Sequence, residues 1–293
     1  MLNRVSQRIV WTCLLATLPV SLRAADPSRV IFPSVPPALD GVVRIDQGRA
    51  LAGGVTPDDA PGFPITLSQP GNYRLTGNLT VPDLNTTAIQ ITADSVTLDL
   101  NGFSIIGPVT CATEPTACSG VGTGVGVQAG NGTIHGPRGV RVRNGSVRGM
   151  GRFGIWLSGS GSFVEKVTAD SNADGGINVA GSVIESAATQ NGAFGIIALS
   201  VRDFTAFQNA GDGIILEASG GVATANVSSQ NVGSGIIVQN GTAAGNTVFL
   251  NQGAGITALC PSSVVGNTIV VNAAVTIQTS GDGCALANNA ARP

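Results

Sequence analysis

Apolar residues recur through the middle of the chain with a period of about twenty, and inside each period they alternate singly with polar residues. The repeat is anchored on asparagine. Asn172, Asn191, Asn209, Asn231 and Asn251 are each followed four residues later by Gly176, Gly195, Gly213, Gly235 or Gly255. Ile177, Ile196, Ile214, Ile236 and Ile256 follow directly. Degenerate copies run from Met150 to Ile155 and from Asn272 to Ile277, so starts at 150, 172, 191, 209, 231, 251 and 272 are spaced by 18 to 22 residues. Three further apolar columns keep the register. They are Val147, Ala169, Ala188, Ala206, Ser228, Val248 and Ile269; then Val142, Val164, Val183, Val201 and Ala223; and then Leu157, Val179, Ala198, Leu216, Val238 and Ala258. Single-residue alternation broken by Gly and Asn corners is strand period, not helix period. Short strands of this kind cannot bury their apolar edge alone, but stacked copies can. The pattern therefore predicts an all-β, parallel β-helix of about ten coils, roughly 45–50 Å long. It predicts the isoleucines as a buried column and Asn191, Asn209 and Asn231 as an internal amide ladder. It assigns the glycines at +4 the backbone freedom for an inward turn. A leucine-rich repeat of similar length is excluded, because LxxLxLxxN is absent.

Looser copies lie upstream. Val96-Thr-Leu98-Asp-Leu100-Asn-Gly matches Val140-Arg-Val142-Arg-Asn-Gly, preceded by Asn72-Tyr-Arg-Leu75-Thr-Gly-Asn-Leu79-Thr-Val81 and Ala88-Ile-Gln-Ile91. These residues resemble the right-handed parallel β-helix proteins of the pectin-lyase-like superfamily, in the bacterial secreted type, over about residues 64–290. The resemblance implies a fold more than a function, since that superfamily holds lyases, hydrolases, epimerases and adhesins. Within it, 25–63 reads as a lead-in segment with an N-terminal cap, 64–293 as the β-helix, and 107–139 as one long excursion between coils.

Composition sharpens this picture. Glycine is 41 of 293 residues, charged residues are 11%, aromatics are 4%, and Lys166 is the one lysine. Without a Gly at every third position the chain is not collagen. With 43% apolar residues and a net charge of −2 it is not a disordered chain. Residues 1–24 read as a signal peptide: Arg4 and Arg8 open it, 9–22 is apolar, and Ala24 and Ala25 are the candidate cut sites. Its removal leaves 12 basic and 17 acidic residues, which argues against nucleic acid as a partner and leaves no integral membrane segment. A secreted or periplasmic location follows. Four cysteines remain, and of three possible pairings the simplest joins Cys111 to Cys118 and Cys260 to Cys284. The second pair is one coil apart, which stacks the two Cα atoms about 5 Å from one another, within disulfide reach.

The resemblance implies an acidic polysaccharide as substrate or partner. Pectate-lyase-like enzymes use acidic calcium ligands and an Arg or Lys base. Polygalacturonase-like enzymes carry NTD, DD, GHG and RIK motifs. None of these motifs stands in the coils: Asp58-Asp59 lies in the lead-in segment, and His135 stands in Thr-Ile-His-Gly-Pro. No catalytic residue is carried over, so whether the protein is an enzyme stays open. The sequence reads as an exported β-helix that binds or organises a polysaccharide or surface partner. The alternative is a lyase, hydrolase or epimerase acting on an acidic glycan. Short coils of 18 to 22 residues leave little chain for the groove walls of an enzyme and favour the former.

Arg138, Arg141, Arg143, Arg148 and Arg152 fall within 15 residues free of acids. If Val140 and Val142 point inward, Arg141 and Arg143 share the outer face, and guanidiniums grip carboxylates in two-pronged fashion. Arg141, Arg143, Arg148 and Arg152 are therefore the candidate substrate-binding residues. Lys166, Glu185 and Asp203 form one charge column, and Arg143, Glu165, Ile184 and Arg202 another, with Asp99 beside Arg143. Both read as exposed ion-pair ladders, with Lys166 and Glu185 as an acid/base pair the other possibility. Asp174, Asp212 and Asp282 sit in Gly-rich corners that offer one carboxylate per turn. That is too few for a calcium site, so no metal and no cofactor is expected.

Overall fold

Each coil contributes three short strands, and like strands from successive coils pair in parallel to form three faces along one axis. The computed structural model describes residues 41–292 apart from 114–115, 131–134 and 218. These belong to one unit, 33–293. Residues 1–24, expected from the sequence to be a signal peptide, and the lead-in residues up to 40 lie outside the described residues.

Ten described strands make the first face, from 65–67 to 277–280. Ile155, Ile177, Ile196, Ile214, Ile236, Ile256 and Ile277 pair directly, each with the next. All are fully buried except Ile277, which is partly covered in the last coil. The second face carries Val142, Val164, Val183, Val201 and Ala223 inward, and the third carries Val147, Ala169, Ala188, Ala206, Ser228, Val248 and Ile269. Each of these is buried, and together with Leu157, Val179, Ala198, Leu216, Val238 and Ala258 they form one continuous core. Where Ser228 replaces the usual alanine or valine, its hydroxyl donates to the Gly235 carbonyl at 2.7 Å, so the buried oxygen is satisfied.

The amide ladder lies at the corner between the third and first faces. Each Nδ2 donates to the Oδ1 of the next coil from Asn172 through Asn191, Asn209, Asn231 and Asn251 to Asn272, at 2.9–3.0 Å. Each Oδ1 also accepts the backbone N–H of the preceding asparagine at 3.0–3.1 Å. A second ladder, Asn226–Asn246–Asn267–Asn289, fills the corner between the second and third faces with the same geometry. Its sequence signal is an asparagine five residues before Asn231, Asn251 and Asn272, which the column reading passes over.

The glycines at +4 play a different part from the one their spacing suggests. Gly176, Gly195, Gly213, Gly235 and Gly255 do not have positive φ; the left-handed residues are Ser171, Gln190, Gln208, Gln230, Leu250 and Val271, at φ 52 to 56, each just before an asparagine of the ladder. The glycines are required for close approach instead. A Cβ on Gly176 would lie 2.6 Å from the Gly195 carbonyl oxygen and 2.9 Å from the Asn191 amide nitrogen. Neighbouring coils and the ladder leave no room for one.

At the N-terminal end, the strand Val42–Ile45 pairs with Gly71–Leu75, so the parallel ladder starts inside the lead-in segment. Asp46 caps the short helix Gln47–Ala52 by accepting the Arg49 N–H at 2.9 Å, and the helix buries Ala50 against the core. Asp59 accepts the N–H groups of Val55 and Thr66, tying the loop after the helix to the first strand of the first face. Cys260 and Cys284 are bridged with Cα atoms 4.9 Å apart, joining the last coil to the one before it. Cys111 and Cys118 close an antiparallel hairpin in the excursion.

Candidate functional site

The five-arginine cluster does not fold into one patch. Arg141 and Arg143 lie on the second face, with Val140 and Val142 buried behind them. Asn144, left-handed at φ 58, then turns the strand, and Arg148 emerges on the third face. Arg152 lies on the far side of the asparagine corner, beside the first face.

On the second face the arginines are part of a charge ladder. Asp99 sits between Arg74, at 3.6 Å, and Arg143, at 3.5 Å, and Arg143 reaches Glu165 at 3.9 Å. Asp99 is 7% exposed and also accepts the Asn101 N–H and the Asn144 amide. Arg143 is thus largely committed within the fold. Arg141 is exposed and lies over the Phe163 ring at 5.2 Å. Lys166 and Glu185 pair at 3.6 Å, both about half exposed, as a solvated ion pair.

The asparagine corner is where the excursion lands. The sulfur of Cys118 lies 3.7 Å from the Asn172 carbonyl, Gly122 donates to the Gly151 carbonyl, and the Arg152 N–H donates to Gly124. Between the root of the hairpin and the third face lies a groove of about 380 Å³, lined by 106–111 on one side and by Arg148, Gly149, Asp170 and Ser171 on the other. Arg148 is exposed, and its guanidinium has no hydrogen-bond or ionic partner among the described residues. Asp170 pairs with it in strand register and accepts the hydroxyls of Thr189, at 2.7 Å, and Ser171, at 3.2 Å. Asp170 escapes a reading based on charge clusters, yet it stands two residues before Asn172, as Arg148 stands two before the next repeat start at Met150.

Across the corner, the Arg152 guanidinium lies 4.6 Å from both the Phe153 and the Trp156 rings and 3.8 Å from Asp174. Phe153 packs edge-on against Trp156 and tilts against Phe194. Burial pushes the Asp174 carboxyl above its ordinary value, and Arg152 partly offsets this. Asp212 accepts the Ser234 N–H at 2.7 Å, two coils further on. Asp282 and His135 are exposed on separate loops. Among the described residues no three His, Cys, Asp or Glu side chains converge as metal ligands do, and no helix is long and apolar enough to cross a membrane.

Comparison with known proteins places this geometry. The A-module of the Azotobacter vinelandii mannuronan C-5 epimerase AlgE4 is similar in fold, with a TM-score of 0.50 at 15% identity, covering 70% of each chain. The Dettilon tailspike protein gives a TM-score of 0.45 at 16% identity over 77% of this chain and 51% of its own. Among curated proteins no sequence matches. Residues 123–291 match the family described as the right handed beta helix region, which covers more than half of the protein. The chain belongs to that family.

Proposed function

We propose that this protein binds an acidic polysaccharide outside the cytoplasm, in the groove between the Cys111–Cys118 hairpin and the third face. One observation carries the reading: Arg148 is exposed to that groove without a counter-ion among the described residues, while Arg143 and Arg152 face carboxylates of their own. A guanidinium so placed offers two parallel N–H donors to a uronate carboxylate, and its planar fork suits that group better than an ammonium would. The hairpin wall gives the site shape, and the disulfide keeps the wall short and closed. Arg152, stacked on Phe153 and Trp156, supplies a second contact on the other side of the same corner. Two disulfides favour an oxidising compartment, in keeping with export and a secreted or periplasmic location. The similar fold of a mannuronan epimerase makes polyuronates the first ligands to try.

The test is binding of the purified protein to a panel of uronate polysaccharides, with the wild type and Arg148→Glu side by side. The wild type is expected to bind and to weaken as salt rises. Arg148→Glu is expected to lose binding at unchanged thermal unfolding. Binding by Arg148→Glu equal to that of the wild type overturns the reading. Following unsaturated product and reducing ends in the same mixtures reads out any turnover.

A further inference from the structure

Arg148 stands in an outward-facing column that Thr80 and Ile106 precede and that Val270 and Arg292 continue. On the third face the strand register stacks Arg148, Asp170, Thr189, Phe207, Ser229 and Phe249 one above another without a break. Strand spacing puts neighbours in this column about 4.8 Å apart, so Phe207 and Phe249, two coils apart, are separated by roughly 10 Å. Ser229 lies between them and is only 3% exposed although it faces outward, because the two rings flank it. The rings themselves are half-buried and open to solvent. Beside this column runs a parallel row of amides, in which Gln190 donates to Gln208 and Gln208 to Gln230, each at 3.1 Å. Gln230, level with the gap between the rings, has no acceptor for its own N–H groups among the described residues.

Resting on the function proposed above, we infer that the polysaccharide runs along the third face, parallel to the solenoid axis, from Arg148 to Phe249, and that it is an extended β-1,4-linked chain. Two features of such a chain fit the column. Its sugar units advance at close to one unit per coil, and successive units are turned over, so that the same ring face recurs at every second unit. Two phenyl rings two coils apart then stack on two sugar faces of the same kind, while the amide row meets hydroxyls between them. The same alternation accounts for Asp170 beside Arg148: a carboxylate held by Arg148 is followed by one turned away from Asp170. The column from Arg148 to Phe249 spans five coil steps, about 24 Å, enough for about six sugars. A chain with a helical or bent linkage keeps neither the direction nor the two-unit period.

Calorimetric titration with β-1,4-linked mannuronate oligosaccharides of increasing length tests this. Affinity is expected to climb up to about the hexasaccharide, which reaches from Arg148 to the last ring of the column, Phe249, and then level off. Phe207→Ala and Phe249→Ala are each expected to weaken hexasaccharide binding about tenfold, the loss of one ring contact, and to leave disaccharide binding unchanged. Phe249→Trp is expected to keep or raise it, which separates ring stacking from any effect on folding. Arg148→Glu abolishes both. If Arg148→Glu fails to bind while both phenylalanine variants match the wild type on the hexasaccharide, the groove stands and the track is overturned. If the wild type binds none of these oligosaccharides, the groove and the track fall together.

Discussion

Residues 172–272 and residues 71–170 build the same three faces but hold successive coils together by opposite means. In the C-terminal stretch the corners are filled by neutral amides buried to within 1% for Asn191, Asn209, Asn231 and Asn246, and every turn is short. In the N-terminal stretch the comparable ladder is ionic, Arg74–Asp99–Arg143–Glu165, and lies on a half-exposed outer face, with a long excursion inserted beside it. A buried amide gains in a low dielectric and is costly to orphan. A half-exposed ion pair is screened by water and salt and is worth little unless networked. The repetitive stretch is therefore the rigid part of the rod, and the decorated stretch is where surface chemistry varies at low structural cost.

The largest effect is expected from Asn209→Ala. Its Oδ1 accepts both the backbone N–H and the side-chain amide of Asn191, so truncation orphans two buried donors, a loss of about 3–4 kcal/mol in urea unfolding. The loss is expected to be the same at low and high salt, and a loss under half a kcal/mol would mean that water reaches the ladder. Next comes opening the Cys260–Cys284 bridge, with Cys284→Ser in a Cys260→Ser background. Loop closure over 24 residues is worth about 3 kcal/mol, and faster hydrogen exchange is expected in 277–292 and nowhere upstream. Asp99→Asn is expected to cost about 1–2 kcal/mol at low salt and clearly less in molar salt. Equal costs at both ionic strengths would erase the contrast between the two ladders. Val271→Gly is expected to stabilise by about 1 kcal/mol, since Val271 is β-branched, exposed and held at φ 52.

The smallest effect is a pH slope. Asp174 binds its proton more tightly folded than unfolded, because burial outweighs the Arg152 guanidinium. Stability contributed at this position is therefore highest below the ordinary value of 3.8, and it falls as pH rises from there through the raised folded value. Asp174→Asn is expected to flatten that part of the stability profile, and an unchanged slope would mean that the carboxyl is well solvated.

The amino-acid sequence makes the repetitive stretch legible because like residues stack on like: once one asparagine and one isoleucine are aligned, every inward position follows. Even there, Gly176 and its equivalents are read for backbone freedom, when what they supply is room for the neighbouring coil. The Cys260–Cys284 bridge, the pairing of Asp99 with Arg143, and the outward position of Arg141 are legible for the same reason of register, whereas Cys111–Cys118 is legible only as the simplest pairing of near neighbours along the chain. The arginine cluster is not, because proximity along the chain says nothing about corners: a single left-handed residue, Asn144, sends Arg143 and Arg148 to different faces. The landing place of the excursion is also hidden, since its contacts, such as Gly124 with Leu84 and with Arg152, join residues far apart in sequence through backbone groups alone. The column Arg148, Asp170, Thr189, Phe207, Ser229, Phe249 has no conspicuous composition and becomes visible only once the coils are superposed.

What Asn191 offers to Asn209 is the same set of donors and acceptors that Asn209 offers to Asn231. A coil excised between two such residues would leave matching surfaces to close up, and a coil added there would find both of its neighbours already shaped for it. The protein is in this respect a ruler with fixed graduations. Over generations its outer columns can lengthen or shorten only in whole steps of about 4.8 Å, and any ligand that reads them is counted in the same steps.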